Sequence, residues 1–173
     1  MARIEYPECG QIINTHGCRG AVKIEPWCDS PEVLAALPAV YLPENGGYRR
    51  LRVRKSSIFR RFVLAELEGI ERMEDADRLR GCVLHAHRDD LGLGEDVLLV
   101  AELIGLPAID AESGARLGTV TDIIHPGASD IYVIKTPTGG EAMVPAVPEF
   151  VREISAERGV LLSPIEGMFD DAL

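Results

Sequence analysis

Within Gly10–Ile24, fifteen residues hold His16, Cys18, Arg19 and three glycines. These residue types fit three chemistries. His16 and Cys18 carry metal-ligand atoms, Gly17-x-x-Gly20 has the form of a phosphate-holding loop, and glycines also let two strands turn. Structural zinc sites pair their ligands closely, as in C-x₂₋₄-C. Cys9, Cys18, Cys28 and Cys82 are too widely spaced for that, and nothing downstream answers His16-x-Cys18. His85-x-His87 places two rings on one strand face, at the rim of a linker. No metal site is expected. Around Gly17-x-x-Gly20 the flanks are β-rich rather than helical, and no P-loop or dinucleotide fingerprint occurs. Gly17 and Gly20 therefore read as structural turn residues between antiparallel strands, where φ > 0 is needed.

No G-x-S-x-G elbow is present, and the carboxylates fall where solvated faces are expected. No catalytic residue and no cofactor are assigned. One cluster stands apart: residues 49–61 hold seven basic side chains, Arg49, Arg50, Arg52, Arg54, Lys55, Arg60 and Arg61. In a strand, Arg50, Arg52 and Arg54 share one face while Leu51 and Val53 take the other. Like charges in a row repel one another, and contact with RNA relieves that. A solvated edge strand that discourages aggregation reads the same way.

The elements that must position these residues are mostly short strands. Gln11-Ile12-Ile13 and Val22-Lys23-Ile24 flank the glycine-rich segment. Ser30 and Pro31 open a short helix as N-cap and first residue. Val40-Tyr41-Leu42 precedes the turn at Pro43–Gly47, then Tyr48–Arg54 alternates and Phe59–Leu67 is its hairpin partner. A helix over Arg72–Gly81 carries Met73, Ala76 and Leu79 on one face and ends at Gly81. Cys82–His85 completes this domain as a strand. Strands then recur at Ile104–Ile109, Arg116–Ile124, Ile131–Lys135, Glu141–Val144 and Val160–Ser163, separated by glycine turns. With no long helix to cross between parallel strands, mainly antiparallel sheets are expected.

The 173 residues carry a net charge of −10, unevenly spread. Residues 1–95 hold 14 Lys+Arg against 15 Asp+Glu, while residues 96–173 hold 4 against 13. An acidic half repels a phosphate backbone and suits a basic protein partner. No run reaches the ~18–20 apolar residues of a membrane span. The first residues lack the pattern of a signal peptide, so a cytoplasmic protein with reduced, buried cysteines is expected. No heptad or exposed apolar helix asks for a dimer, and a monomer is expected.

Read together, several segments resemble the RimM family of ribosome maturation factors. Gly10-Gln11-Ile12-x-x-x-His16-Gly17-x-x-Gly20-x-Val22-Lys23-Ile24 matches at the amino end. Leu67-Glu68-Gly69-Ile70 and Ala76-Asp77-x-Leu79-Arg80-Gly81 follow. The second half matches at Glu102-Leu103-Ile104-Gly105, Gly118-x-Val120, Ser129-Asp130-Ile131-Tyr132-Val133, Met143-Val144-Pro145, Phe150-Val151 and Glu166-Gly167-Met168. The resemblance implies an all-β chain of two small antiparallel β-barrels with few short helices. The first, at 1–88, would be a six-stranded barrel like that of translation factors. A linker at 89–96 would lead to a PRC-barrel at 97–173.

The resemblance also implies a non-catalytic assembly factor for the small (30S) ribosomal subunit. Its members bind a basic ribosomal protein of the 30S head, the nineteenth of the small-subunit set, and assist folding and processing of 16S rRNA on the immature subunit. Asp130, with Ser129 beside it, is expected at the protein-binding face, and Arg50, Arg52 and Arg54 near rRNA. Where the family commonly has two tyrosines implicated in subunit binding, this chain has Leu98 and Leu99. Either these leucines make a purely apolar contact, or the contact has moved elsewhere and they pack in the core between the two domains. Two rival readings are a flavin-reductase-like enzyme on the first barrel and a general RNA-binding module using the arginine stripe.

Overall fold

The computed structural model describes residues 3–94 and 97–170. The chain divides into two compact units, Ile4–Leu93 and the chain from Gly94 onward together with Arg3. Of the linker expected at 89–96, Glu95 and Asp96 lie outside the described residues, as do residues 1, 2 and 171–173 at the ends of the two expected domains. Arg88–Leu91 forms a single 3-10 turn.

In the first unit, β1 (Glu8–His16), β2 (Ala21–Pro26), β3 (Ala39–Glu44), β4 (Gly47–Phe59), β5 (Phe62–Leu67) and β6 (Val83–His85) close into a barrel. The ladder order is β1-β2-β5-β4-β3-β6. Alternating side chains point inward, so Ile12, Val22, Ile24, Val40, Leu51, Val63, Leu67 and Leu84 form one buried cluster. Each such side chain contributes about 1.5–3 kcal/mol on leaving water. The closed ladder leaves no edge strand to manage.

Two helices in this unit are shorter than the sequence pattern suggests. Helix α1 (Pro31–Ala35) starts with proline at its first turn, but the Ser30 side chain makes no cap hydrogen bond. Instead, the Ser56 hydroxyl donates to the Ala35 carbonyl. Helix α2 covers only Met73–Asp77, not Arg72–Gly81. Ala76 and Leu79 pack on the core, whereas Met73 is exposed. Residues 78–81 turn into β6 to satisfy the sheet, and the Gly81 N–H donates to the Ile12 carbonyl at 2.7 Å. Phe59 belongs to β4 rather than to its hairpin partner, because the chain reverses in the two residues Arg60 and Arg61.

The second unit opens with a short helix, α3 (Val100–Leu103), just ahead of the strand expected over Ile104–Ile109. The strand itself, β7, covers Pro107–Asp110. It is followed by β8 (Arg116–Ile124), β9 (Ile131–Lys135), β10 (Glu141–Pro145), β11 (Val151–Ser155) and β12 (Gly159–Leu162). They form a six-stranded sheet in the order β10-β9-β8-β7-β12-β11. The pairs are antiparallel except β7 with β12, which run parallel. No crossover helix is needed there, because four intervening strands carry the chain round to meet β7. Leu103, Leu106, Val120, Ile134, Val144 and Leu162 lie in its buried core.

Candidate interaction surfaces

The hairpin between β1 and β2 settles the first motif. Residues 17–20 form its turn, and His16 pairs with Ala21 across the ladder. Gly17 and Gly20 have φ of 70° and 83°. The exposed Cys18 and half-buried Cys28 and Cys82 depart from the expectation of buried cysteines, although all four are free thiols and Cys9 is buried. Cys18 is exposed because a four-residue turn offers it no neighbours to pack on. Burial pushes the Cys9 thiol up to about 12, with Cys28 nearby adding to the effect. Among the described residues, no group of three or more His, Cys, Asp or Glu is arranged to hold a metal.

The basic residues line β4, a strand of 13 residues. Leu51 is buried and Val53 partly so, while Arg50, Arg52 and Arg54 are exposed. A register shift between Val53 and Lys55 marks a bulge, beyond which Lys55 pairs opposite Glu66. Arg54 lies 3.6 Å from Glu71, both side chains exposed, so solvent screens the pair. Among the described residues, no carboxylate lies within ion-pair distance of Arg50 or Arg52.

Beside this row lies an aromatic cluster that the sequence reading did not identify. Tyr41 pairs with Arg50 on one side and His85 on the other. The Tyr6 ring stacks on Tyr48 at 4.4 Å and meets Tyr41 at 5.0 Å and His87 at 5.2 Å. The His85 Nδ1–H donates to the Tyr6 carbonyl at 2.8 Å, since a carbonyl only accepts. His87 Nδ1 accepts from the Asp89 N–H at 3.3 Å, and its Nε2 lies 3.5 Å from Glu5. Desolvation first, then the Glu5 charge, raises the Tyr6 phenol above its ordinary value. The alternation His85-x-His87 was the visible signal, but its meaning depended on tyrosines from two other strands and the amino-terminal segment.

In the second unit, Leu98 packs against the hydrophobic core, and the adjacent Leu99 is partly buried. The Leu99 N–H donates to the buried Glu102 carboxylate at 2.8 Å, which fixes the start of α3. Leu98 also lines a cleft of about 540 Å³ with Ile154, Ala156, Glu153 and Glu157. Ser129 and Asp130 sit elsewhere, where the loop after β8 enters β9. The Asp130 carboxylate accepts from His125 Nδ1 at 2.7 Å, and its backbone carbonyl accepts from Ala146. In ladder order, β8, β7 and β12 separate β9 from β11, the strand beside the Leu98 cleft. Burial, then the Asp130 charge, raises the Tyr132 phenol.

Family models cover both units. Residues 8–91 match the RimM N-terminal domain, and residues 100–167 match the RimM PRC barrel domain. The chain belongs to the RimM family. Within the RimM frame, Leu98 and Leu99 fall between the two matched segments. A ribosome maturation factor RimM of Symbiobacterium thermophilum is 36% identical over 99% of this chain and 98% of its own length. One from Ruminiclostridium cellulolyticum is 31% identical over 90% of this chain and 92% of its own. The solution structure of the N-terminal domain of RimM from Thermus thermophilus covers 51% of this chain and 95% of its own, at 18% identity and a TM-score of 0.43. In this RimM chain no described helix is long and apolar enough to cross a membrane. The first unit exposes a row of cations, and the second a cleft of mixed lining in which Leu98 and Ile154 lie beside Arg3, Glu153 and Glu157.

Proposed function

We propose that this chain is a non-catalytic assembly factor of the small (30S) ribosomal subunit. The observation that carries the reading is the end-to-end relationship, across both domains, with ribosome maturation factors. In this reading the domain at 1–88 faces 16S rRNA through Arg50, Arg52 and Arg54. The linker at 89–96 joins it to the domain at 97–173, which binds a basic ribosomal protein of the 30S head through Leu98, Leu99, Ser129 and Asp130. The unequal charge of the two halves, near neutral over residues 1–95 and strongly acidic over residues 96–173, supports that division. The protein acts in the cytoplasm, as a monomer without cofactor, by binding one state of the maturing head more tightly than its competitors.

Tagged protein recovered from its own cell lysate tests the reading. Immature small subunits and the basic head protein are expected with the wild type and lost with Asp130→Lys or Leu98→Ser/Leu99→Ser, each variant first shown to be folded. Recovery unaffected by either change would move the protein contact elsewhere. Absence of any ribosomal material would overturn the assembly role.

A further inference from the structure

The far end of β4 carries a patch that the arginine row does not explain. Phe59 and Phe62 pair across the β4–β5 hairpin, and Arg60 and Arg61 form its two-residue turn. Phe59 is 48% exposed and the neighbouring Ile58 43%. Three cations lie near the ring faces. Lys23 Nζ is 4.2 Å from the Phe62 centroid, Arg61 Cζ 4.9 Å from the same ring, and Arg60 Cζ 5.4 Å from Phe59. Among the described residues, no carboxylate lies within ion-pair distance of Lys23, Arg60 or Arg61. Arg60 has φ of 57°, the left-handed value that a tight hairpin demands at this position.

We propose that this hairpin end is a stacking platform for unpaired RNA bases, and that Arg50 and Arg52 hold the backbone running to it. The inference rests on the reading of the first domain as the rRNA-facing one and specifies which RNA that face takes. Base stacking on an aromatic ring needs a π face with cations close by for the adjoining phosphates. Phe59 supplies the exposed ring, while the partly buried Phe62 holds Lys23 and Arg61 beside it. Charge points to the same occupant. Residues 49–61 contain seven cations and no carboxylate, whereas the rest of the chain holds 11 Lys+Arg and 28 Asp+Glu, a net of −17. A polyanion is therefore repelled by most of the molecule and drawn to β4.

Shape favours a single strand. Nine residue steps separate Arg50 from Phe59 along β4, a run of roughly 30 Å at strand spacing. A linear row of charge ending in exposed rings suits a linear polyanion with splayed bases. A duplex hides its base faces in the stack, and a bilayer presents a plane rather than a track.

The test uses the full chain with a 5′-labelled oligouridylate of about 12 nucleotides, within the ~4–16 nucleotides such surfaces cover. An RNA duplex of equal length and anionic phosphatidylserine vesicles serve as competitors. Fluorescence anisotropy is expected to show the single strand bound more tightly than the duplex. Phe59→Leu/Phe62→Leu, which keeps the hairpin apolar, is expected to weaken it about tenfold, with the salt slope unchanged. Arg50→Gln/Arg52→Gln is expected to lower the slope of log affinity against log salt by about 1.4, roughly 0.7 per lost phosphate contact.

As a second readout, Phe59→Trp in a Trp27→Phe background places an indole at the platform, where a stacked base is expected to quench its fluorescence. Equal affinity for duplex, no effect of the leucine pair in a folded protein, or no quenching would each overturn the platform. Phenylalanine-dependent binding to the vesicles without binding to RNA would also overturn it, in favour of a membrane contact. If 30S recovery from lysate persists while any of these results is found, this inference fails and the assembly role stands.

Discussion

His125 and Asp130 close the loop between β8 and β9, with Nδ1 2.7 Å from the carboxylate oxygen. Both side chains remain about half exposed, at 57% and 48%. The pair fixes where the carboxylate points without removing it from solvent. Asp130→Asn keeps an acceptor for His125 while removing the charge. Association with the basic head protein is expected to slow about two- to fivefold and to depend less on salt, as for an exposed charge pair. Stopped-flow association rates across a salt titration check this. Rates that do not change would place the electrostatic contact away from this loop.

The two leucines before α3 are not equivalent. Leu98 packs on the core, whereas Leu99 is partly buried and its backbone N–H is held by Glu102. Leu98→Ser is expected to cost the second unit about 1–3 kcal/mol, the range for a partly buried leucine, and Leu99→Ser less than about 1 kcal/mol. Urea unfolding separates the two. Equal losses would mean that Leu99 contributes as much packing as Leu98.

The glycines of the first hairpin differ in surroundings rather than in backbone. A Cβ on Gly20 would lie 2.5 Å from the Ile70 carbonyl oxygen, while one on Gly17 would meet nothing within 4 Å. Gly17→Ala therefore carries only the left-handed penalty, about 1–2 kcal/mol. Gly20→Ala adds a backbone collision and is expected to cost at least about 3 kcal/mol. Thermal denaturation of the two variants orders them directly.

Thiol reactivity follows burial. With Cys9 pushed up to about 12 and buried, it stays protonated and unreactive near neutral pH, whereas Cys18 is exposed. One fast modification by a disulfide reagent is expected in the native protein, and Cys18→Ser abolishes it. Fast labelling at Cys9 would mean that the barrel opens readily.

Asp110 ends β7, and its carboxylate accepts from the Glu112 N–H at 2.9 Å. That hydrogen bond foremost, with a longer one from the Ser113 N–H, holds the carboxyl below its ordinary value. A lowered folded-state value stabilises above the unfolded value of 3.8, and the gain is lost as pH falls through the folded one. Asp110→Asn is expected to lower stability at neutral pH, where the ionised carboxylate contributes, and to flatten the acid limb below about pH 5, where the wild type has lost that gain. An unchanged acid limb would assign acid sensitivity to other carboxylates.

Local periodicity carried much of the fold. Alternation in Val22-Lys23-Ile24 and Tyr48–Arg54 marks faces, and the turn expected at Pro43–Gly47 is present but narrows to Asn45 and Gly46, because Pro43 and Glu44 pair with β4. β11 escaped notice: Val151-Arg152-Glu153-Ile154-Ser155 is an edge strand paired only with β12, so charges replace the apolar alternation. Helix α3 escaped because four residues span barely one turn. The arginine row was legible as a strand face, yet the bulge at Arg54 and its pairing with Glu71 were not.

The sequence by itself determined that this chain is two β-rich halves of unequal charge, with family motifs in order along both. Those properties depend on residue type and short spacing. Tertiary structure decided which distant residues became neighbours. Closing the first barrel brought Tyr6, Tyr41, Tyr48, His85 and His87 into one cluster, and the parallel β7–β12 pair joined strands some fifty residues apart. Periodicity states which face of a strand is buried. The choice of partner strand depends on the closure of the whole ladder, a property no local stretch contains.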